Sequence, residues 1–422
     1  MKIWVLEIGE PLPLEKGVRL HRYGQFTKYL AAKGHEVTWW TSSFSHAPKI
    51  NVVDKDQDQL IEGVKLKFIY SSGYKKNVSL ARIKHNKRFA KSFYEMAKEK
   101  IRSGSKPDLI IAPIPIIEAA QKAIQFGKEN NIPVLTDVRD LWPDELVNLA
   151  PSILRPLARL MLLRSYASMK YVCQNAAGVM GVSQSYVDYG LKFAKRNQNQ
   201  NDLVFPLGYS QEKYPDAEML QGRMWRKELN LDSHAFKICF FGTIGRFFDL
   251  ETVIKAAQIL EKEFPVLFIL GGDGSSLEQY KKMAEGMKSI LFTGWLKGPQ
   301  ISAIMEVSHA GLAPYKADAK MSLPNKPFEY MAGGLPIISS IQGELKAWMA
   351  KFNCGVTYHA DSVDELCLAV RTLKRQEQVR NMMSKNARNL LEQHFSTEIV
   401  FARTLEHFKK VVANFSLKKG GA

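Results

Sequence analysis

The chain has 422 residues, which at roughly 150 residues per domain corresponds to two or three domains. Apolar residues make up 45% and charged residues 24%, an ordinary globular composition that argues against a disordered or fibrous chain. Four isolated cysteines exclude a disulfide framework and a zinc ribbon, and they favour a reducing compartment. No uncharged apolar run approaches the roughly 20 residues of a spanning helix, and Glu7 and Glu10 interrupt the apolar start where a signal peptide would continue. We therefore expect a soluble cytoplasmic protein, or one that sits on a membrane surface.

The charge is strongly basic and unevenly distributed. Lys and Arg number 59 against 42 Asp and Glu, a net charge of +17, which indicates an anionic partner. Residues 65–106 contain 13 basic and two acidic residues, a net charge of +11. Residues 154–172 carry Arg155, Arg159 and Lys170 among apolar residues at helical spacing, which predicts a basic amphipathic helix. Three interpretations stay open: a solvated face packed on the protein's own core, a surface for an anionic membrane leaflet, and a nucleic-acid surface, which no motif supports.

The first half alternates predicted strands and helices. In chain order the predicted elements are a strand at 3–8, a loop with Gly9 and Gly17, a helix at 18–33, a strand at 36–41, and buried strands at 109–117 and 134–138. A polar run at 196–202 marks a domain boundary, and we place the hinge at 206–208. Strand, glycine loop, helix and strand is the opening unit of a parallel doubly wound sheet.

The second half repeats this opening. Its predicted elements are a strand at 236–241, a loop with Gly242 and Gly245, a helix at 250–263, a strand at 265–270 that ends in Gly271-Gly272-Asp273-Gly274, further strands at 290–295, 310–315 and 335–340, and a last amphipathic helix at 400–417. Two such openings, half a chain apart, predict an α/β protein with two Rossmann-like, doubly wound domains.

Glycine loops of this kind expose backbone N–H groups, and the helix that follows adds its positive end, so together they favour a phosphate. Taken singly, each loop is equally well a tight turn with no ligand. The Gly9–Gly17 loop is not a G-x-G-x-x-G fingerprint. Ligands of open parallel sheets bind outside the carboxyl ends of the strands. Two such sheets facing each other across a hinge would form one central cleft with anion-binding loops on both walls.

The densest pattern lies at 316–340. Prolines at 324 and 327 favour a helix start, and Gly333-Gly334 precede a buried strand, so a short helix is predicted at 325–332. Lys326 in its first turn could reach a phosphate. Glu329, one turn on, could accept hydrogen bonds from two adjacent hydroxyls. The simpler alternative is a surface Lys326–Glu329 pair at i,i+3.

Residues 324–340, PNKPFEYMAGGLPIISS, resemble the signature of glycosyltransferase family 4, enzymes with the GT-B fold of two Rossmann domains. The resemblance extends to residues 33–41, 181–187, 206–210, 240–257, 270–274 and 292–296. Its most specific part is TDVRDLWPDEL at 136–146, which is similar to a stretch of bacterial transferases that build O-antigen and capsule repeat units, such as N-acetylfucosamine transferases. The resemblance implies an acceptor domain at 1–206, a donor domain at 207–398, and a C-terminal helix at 399–418 that packs on the acceptor domain.

The resemblance also implies roles for single residues. Glu329 matches the glutamate that binds the donor's ribose, and Arg246 and Gly17 match groups near the diphosphate. Lys326 lies where the helix start meets the donor. The remaining donor-binding candidates are Gly242, Gly245 and Gly272 in the glycine loops, and Gly294, Trp295 and Leu296, where the family holds the base.

Three positions depart from the family pattern. Met321 replaces the first glutamate of the E-x7-E motif, so backbone N–H groups around Ser322 and Leu323 would have to contact the sugar. Phe247-Phe248-Asp249-Leu250 follows Arg246, where many members have a lysine. Asp137-Val138-Arg139-Asp140 stands where many have a histidine. Asp140 and Asp137 are candidates for acceptor contacts or for steadying Arg139, and the alternative is a buried Asp–Arg pair that holds a loop.

The activity implied is retaining transfer from a nucleotide diphosphate sugar, with UDP favoured over GDP, to a polyprenyl-diphosphate-linked saccharide in lipopolysaccharide or capsule synthesis. Arg246, Lys326 and the helix start would stabilise the departing diphosphate, so we expect no metal and no further cofactor. We expect the protein at the anionic inner face of the cytoplasmic membrane. The rival functions are a sugar-nucleotide 2-epimerase of the same fold, which product analysis with and without a lipid acceptor would separate, and a basic nucleic-acid binder.

Overall fold

Two α/β units make up the chain. The computed structural model describes residues 1–14, 18, 20–210, 214–231, 233–319 and 322–420. The first unit contains Met1–Leu207 and Val400–Ala422, and the second contains Gly208–Ile399. Each unit is built on its own mainly parallel sheet, in agreement with the predicted pair of Rossmann-like domains.

The elements of the first unit follow the predicted alternation. Its strands are β1 (Lys2–Leu6), β2 (Glu36–Ser42), β3 (Phe44–Ser45), β4 (Ile50–Asn51), β5 (Gln57–Ile61), β6 (Val64–Ile69), β7 (Leu109–Ile114), β8 (Val134–Val138), β9 (Gly178–Gly181) and β10 (Leu203–Val204). Its helices before the second unit are α1 (Arg22–Ala32), α2 (Leu80–Arg102), α3 (Ile117–Asn130), α4 (Asp144–Asn148), α5 (Arg155–Met161), α6 (Leu163–Asn175) and α7 (Gln184–Ala194).

The large sheet of this unit has the order β10-β9-β8-β7-β1-β2-β6-β5, parallel except for the antiparallel edge strand β5. Helices cover both of its faces, which is why its central strands read as continuous apolar runs. Trp4 and Trp40 lie in the core on one face, and Trp39 and Phe26 lie in the core on the other. The carboxyl ends of β1 and β8 therefore lie at the same edge, where ligands of such sheets bind.

Two predicted elements need correction. The single amphipathic helix expected at 154–172 is interrupted at Leu162, which separates α5 from α6. No side chain of residues 152–161 is buried, whereas Met169 and Val172 of α6 lie in the unit's own core. The strand expected at 109–117 ends at Ile114, because α3 already begins at Ile117.

The second unit repeats the plan on a smaller scale. Its strands are β11 (Phe236–Phe241), β12 (Val266–Gly271), β13 (Ile290–Gly294), β14 (Ala310–Ala313), β15 (Ile337–Ser339) and β16 (Gly355–Thr357), all parallel, in the order β13-β12-β11-β14-β15-β16. Its helices are α8 (Asp216–Glu228), α9 (Leu250–Leu260), α10 (Leu277–Met283), α11 (Gly298–Met305), α12 (Asn325–Ala332), α13 (Glu344–Phe352), α14 (Val363–Arg375) and α15 (Glu377–Leu390), and a π-helical turn follows at Leu391–Phe395.

The last helix, α16 (Thr397–Gly420), returns the chain to the first unit. Phe401 and Phe408 pack their rings on Phe26 of α1, with ring centroids 5.0 and 5.6 Å apart. Val400, Leu405 and Val411 join the same core. Among the described residues, no helix is both long and apolar enough to cross a membrane.

Candidate functional site

Three neighbouring strands of the second unit end in glycine loops that hydrogen-bond to one another. The Gly242 N–H donates to the carbonyl of Gly271 at 2.9 Å, and the Gly272 N–H donates to the carbonyl of Gly294 at 2.7 Å. Because β11, β12 and β13 are adjacent and parallel, the three loops lie at the carboxyl edge of one sheet. Gly242, Gly272 and Gly294, predicted separately from sequence, are therefore brought together.

Gly272 shows why this junction requires glycine. Its φ is +142°, and a Cβ there would lie 1.8 Å from the carbonyl oxygen of Gly242. Both the backbone conformation and the contact exclude a side chain. The close approach packs the backbones of the two loops directly against each other at the strand ends.

Lys326, in the first turn of α12, lies against the first of these loops. A Cβ on Gly242 would be 2.1 Å from the Lys326 Nζ, so the ammonium occupies the space that a side chain there would fill. The same Nζ lies 4.9 and 5.2 Å from the ring centroids of Phe248 and Phe240. Burial lowers the pKa of Lys326, and the negative charge of Glu329 partly opposes that shift. Within the described ranges, no carboxylate forms an ion pair with Lys326.

Glu329 lies one turn further along α12 and is half-buried. Burial, with the charge of Glu329 added, raises the pKa of Tyr315, so this carboxylate is close to the end of β14. The backbones of Tyr315 and Phe248 form an isolated β-bridge. Their rings pack at a tilted angle, with the ring centroids 4.8 Å apart. Lys326 and Glu329 thus belong to one cluster around Phe248. The alternative of a simple Lys326–Glu329 surface pair is not what the described residues show, because Lys326 is directed at Gly242.

Arg246 lies four residues beyond Gly242, in the same loop. Its side chain is exposed, and its guanidinium lies 4.6 Å from the ring centroid of Phe247. The loop is fixed to the neighbouring strand end, since the Lys316 N–H donates to the Phe247 carbonyl at 3.0 Å. Asp249 then caps α9 by accepting from the Thr252 N–H at 3.2 Å. The unusual Phe247-Phe248-Asp249 sequence therefore supplies a ring for each cation and a helix cap.

The other predicted donor residues differ in exposure. Trp295 is 73% exposed, while Leu296 is buried against Gly271. Gly245 accepts a backbone hydrogen bond from the Phe248 N–H at 3.2 Å. Leu323 is buried, and the Ser322 hydroxyl donates to the Glu344 carboxylate at 3.0 Å. Gly17 and Met321 lie outside the described residues.

In the first unit, Arg139 is held by two carboxylates that the sequence analysis did not assign. Its guanidinium lies 2.5 Å from a Glu7 oxygen and 2.8 Å from a Glu10 oxygen. The other Glu10 oxygen accepts from the Tyr23 and Gly24 N–H groups at 2.9 and 3.1 Å, at the start of α1. Burial alone would lower the pKa of Arg139. The negative charges of Glu7 and Glu10 outweigh this effect, so the pKa of Arg139 is raised. The only sequence signal for them was their position just after a buried first strand.

Asp137 forms its ion pair with Arg22 and not with Arg139, although its negative charge helps to raise the pKa of Arg139. It is fully buried and forms an ion pair with the equally buried Arg22, and its Oδ2 accepts from the Tyr23 hydroxyl at 2.7 Å. Arg22 also donates to the Phe205 carbonyl. Asp137 is thus part of a buried Asp–Arg pair, the alternative considered from sequence, but its partner comes from α1.

Asp140 differs from its neighbours because it has no hydrogen-bond donor within reach in the part of the chain that the structure describes. Burial raises its pKa to about 6, with the negative charge of Glu145 adding to the shift and Arg139 opposing it. A half-buried, unpaired carboxylate near neutrality is suited to receive a hydroxyl hydrogen bond. No group of three or more His, Cys, Asp or Glu side chains placed to hold a metal ion occurs among the described residues.

The chain is similar in sequence to known glycosyltransferases. The family model described as glycosyl transferases group 1 matches residues 235–376, which contain Arg246, Lys326 and Glu329. An uncharacterized glycosyltransferase of Methanocaldococcus jannaschii is 25% identical over 181 residues, which cover 42% of this chain and 44% of that protein. The putative colanic acid biosynthesis glycosyl transferase WcaI of Escherichia coli is 24% identical over 359 residues, which cover 82% of this chain and 86% of that protein.

Among solved structures, Alr3699/HepE of Anabaena in complex with UDP superposes with a TM-score of 0.64. It is 15% identical and the match covers 97% of this chain and all of that one. The same protein has been solved with UDP-glucose. The fold is GT-B, and residues 235–376 match the family model of group 1 glycosyl transferases. The fold and the family match support a glycosyltransferase, whereas the N-acetylfucosamine subtype stays a prediction.

Proposed function

We propose that this protein is a retaining glycosyltransferase. In this proposal it transfers a sugar from a nucleotide diphosphate sugar, with UDP as the favoured nucleotide, to a lipid-linked or other saccharide acceptor of bacterial surface polysaccharide. The observation that carries the proposal is the position of Lys326, whose ammonium lies beside Gly242 at the carboxyl edge of the second sheet. The second unit then binds the donor and the first binds the acceptor.

The proposed chemistry needs positive charge where the diphosphate departs. Negative charge grows on the leaving diphosphate as the sugar–oxygen bond breaks, so fixed cations and N–H groups aimed there lower the barrier. Lys326, Arg246 and the start of α12 supply such groups, and loss of one donor of this kind costs roughly 3–4 kcal/mol in the barrier. Glu329 would hold the ribose hydroxyls, and Gly294, Trp295 and Leu296 would line the base.

The comparisons support the choice of substrate. HepE has been solved with UDP and with UDP-glucose, which favours a uridine nucleotide for this chain too. The name of WcaI refers to colanic acid biosynthesis, which favours an acceptor that is part of a surface polysaccharide. In the first unit, Asp140 is the group we propose to contact the acceptor hydroxyl.

We propose in addition that the first unit binds an anionic membrane leaflet. Ile153 and Met161 are 85% and 78% exposed, and Leu157 and Leu160 are also exposed. Basic α2 adds a row of exposed lysines and arginines. The exposed apolar side chains would enter the membrane interface, and each basic residue near anionic lipid would add about 1 kcal/mol of binding free energy. This combination suits a peripheral enzyme whose acceptor is linked to a lipid.

Transfer assays with purified variants test the donor site. Glu329→Ala and Arg246→Ala should each abolish sugar transfer from UDP-sugars while leaving the thermal unfolding temperature near that of wild type. Glu285→Ala and Lys262→Ala, at exposed positions of the same unit, serve as charge-matched controls and should transfer normally. Wild-type rates in both site variants would remove these assignments.

Vesicle flotation tests the membrane surface. Binding should require anionic lipid, weaken at high salt, and fall when Met161 and Ile153 are replaced by Ser. Equal binding to neutral vesicles would defeat the electrostatic part of the proposal.

A further inference from the structure

A cluster of cations and aromatic rings lies at the carboxyl edge of the first sheet, apart from the residues discussed above. It is formed by the β3–β4 hairpin, the segment after β6, the first turn of α2, and Trp142 just beyond β8. Tyr74 is its buried centre. This is the edge of the sheet at which open α/β domains bind ligands.

Arg82, from the first turn of α2, lies between two rings. Its guanidinium carbon is 5.5 Å from the ring centroid of Trp142 and 5.7 Å from that of Tyr74. One of its nitrogens donates to the Asn77 carbonyl at 2.9 Å. Aromatic rings and one carbonyl fix the direction of the guanidinium without neutralising it, and its other N–H groups stay available for an anion.

Lys49, in the turn between β3 and β4, approaches the same tyrosine. Its Nζ is 4.7 Å from the Tyr74 ring centroid, 2.6 Å from the Asn77 side-chain oxygen and 3.2 Å from His46 Nδ1. Burial, with the charges of Lys49 and Arg82 added, lowers the pKa of His46 to about 4. The histidine is therefore neutral at pH 7 and contributes no charge, so the cluster carries the two positive charges of Lys49 and Arg82.

No carboxylate among the described residues forms an ion pair with Lys49 or Arg82. The positive charge of Arg82 acts on Asp140 and Glu118 only from a longer distance, and it makes a minor contribution that lowers the pKa of each carboxylate. Most other partly buried cations in this unit have a carboxylate partner, as Arg22 and Arg139 do. Two cations that lie against the same tyrosine ring and have no carboxylate partner among the described residues are suited to bind an anion.

We infer that Lys49 and Arg82 bind the diphosphate of the lipid-linked acceptor. The ligand identity rests on the proposed function, while the anion site rests on the geometry alone. Because Asp140 is within electrostatic reach of Arg82, a diphosphate held there brings the attached saccharide towards the carboxylate proposed to contact its hydroxyl. Val78 and Leu80, 63% and 84% exposed at the start of α2, provide apolar surface for the adjoining prenyl chain. Lys49 and Arg82 thereby select an acceptor that carries a diphosphate.

Titration of geranyl diphosphate and of inorganic pyrophosphate into the full-length protein tests this inference. Excess UDP is present throughout to occupy the donor site, and UDP binding is measured separately, so that failure of the donor-site proposal is recognised independently. The test variant is Lys49→Gln/Arg82→Gln. The matched control is Lys75→Gln/Lys76→Gln, which removes two exposed charges from the same region outside α2. Circular dichroism checks that both are folded, and Arg82→Lys provides a variant that keeps the charge.

We expect both diphosphate probes to bind at least about tenfold more weakly to the test variant, because charge-assisted hydrogen bonds are lost. The control should bind like wild type, and Arg82→Lys should retain part of the affinity. Unchanged probe binding in the test variant overturns the inference, as does an equal loss in the control. If anionic vesicles lose more binding with the test variant than with the control while both probes bind normally, Lys49 and Arg82 serve a membrane headgroup, and the inference is wrong.

Discussion

Arg22 and Arg139 in the first unit and Lys326 in the second unit are held in different ways. In the first unit, Arg22 of α1 is paired with Asp137 of β8, and Arg139, just after β8, is paired with Glu7 and Glu10, which follow β1. In the second unit, Lys326 is packed on rings and a glycine loop, with no carboxylate partner in the described ranges.

The difference separates structural charge from functional charge. A buried cation that is already neutralised has little attraction left for a ligand, and it stabilises the arrangement of loops around it. A cation kept from its counter-ion costs folding free energy, and that cost is offset only when an anion binds. Lys326 belongs to the second kind, as do Lys49 and Arg82 within the first unit.

The largest effect is expected when a neutralising partner is removed. Asp137→Ala leaves the buried Arg22 guanidinium without its carboxylate, which costs about 3–5 kcal/mol of stability. This loss is measured as the change in the free energy of unfolding, from the urea-induced unfolding transition of the first unit. Asp58→Ala is the control, because its carboxylate is partly exposed beside Lys65 and Lys67 and its removal should cost about 1 kcal/mol or less. Similar losses in both variants would contradict the distinction.

A smaller effect is expected at Asp140, which has no bound cation. Its pKa of about 6 lies above the ordinary 3.8, so the folded chain holds this proton more tightly and stability falls as pH rises through that window. Asp140→Asn should therefore raise the free energy of unfolding by about 1–2 kcal/mol above pH 6, reduced by its partial solvent exposure, and leave it unchanged near pH 3. Sugar transfer by wild type should decline as pH falls below 6. A gain that is independent of pH would show that charge is not its cause.

The smallest effect is expected for an exposed neutralised pair. Arg223 donates to Glu306 through two nitrogens, at 2.6 and 2.9 Å, yet its side chain is 50% exposed. Arg223→Ala should change stability by less than about 1 kcal/mol and leave sugar transfer intact. If Arg223→Ala lost as much stability as Asp137→Ala, solvent exposure would not determine how much these ion pairs contribute to stability.

The second unit's site was predictable because its signals are local. Proline, glycine and apolar spacing within 316–340 gave the bounds of α12, and the glycine loops follow directly after apolar strands. Parallel strand order then places Gly242, Gly272 and Gly294 at one edge without further information. Their roles in binding a donor stay predictions.

The first unit's network was not predictable, because its partners are distant in sequence. Arg139 and Glu7 are 132 residues apart, and Arg22 and Asp137 are 115 apart. A single sequence gives no pairing between them, and Asp137 was equally consistent with several arginines. The interruption at Leu162 was missed for a related reason: helical spacing predicts an apolar face, but α5 buries no side chain that would hold one straight helix.

The most direct test of the account is an equilibrium titration of UDP and of uridine into wild type and Lys326→Met, with Lys262→Met as the control. We propose that Lys326 contacts only the diphosphate of the donor. The affinity of Lys326→Met for UDP should therefore be at least about tenfold lower than that of wild type. Uridine, which has no diphosphate, should bind all three proteins equally. Equal UDP affinity in Lys326→Met and wild type, or a parallel loss for uridine, would contradict the central claim.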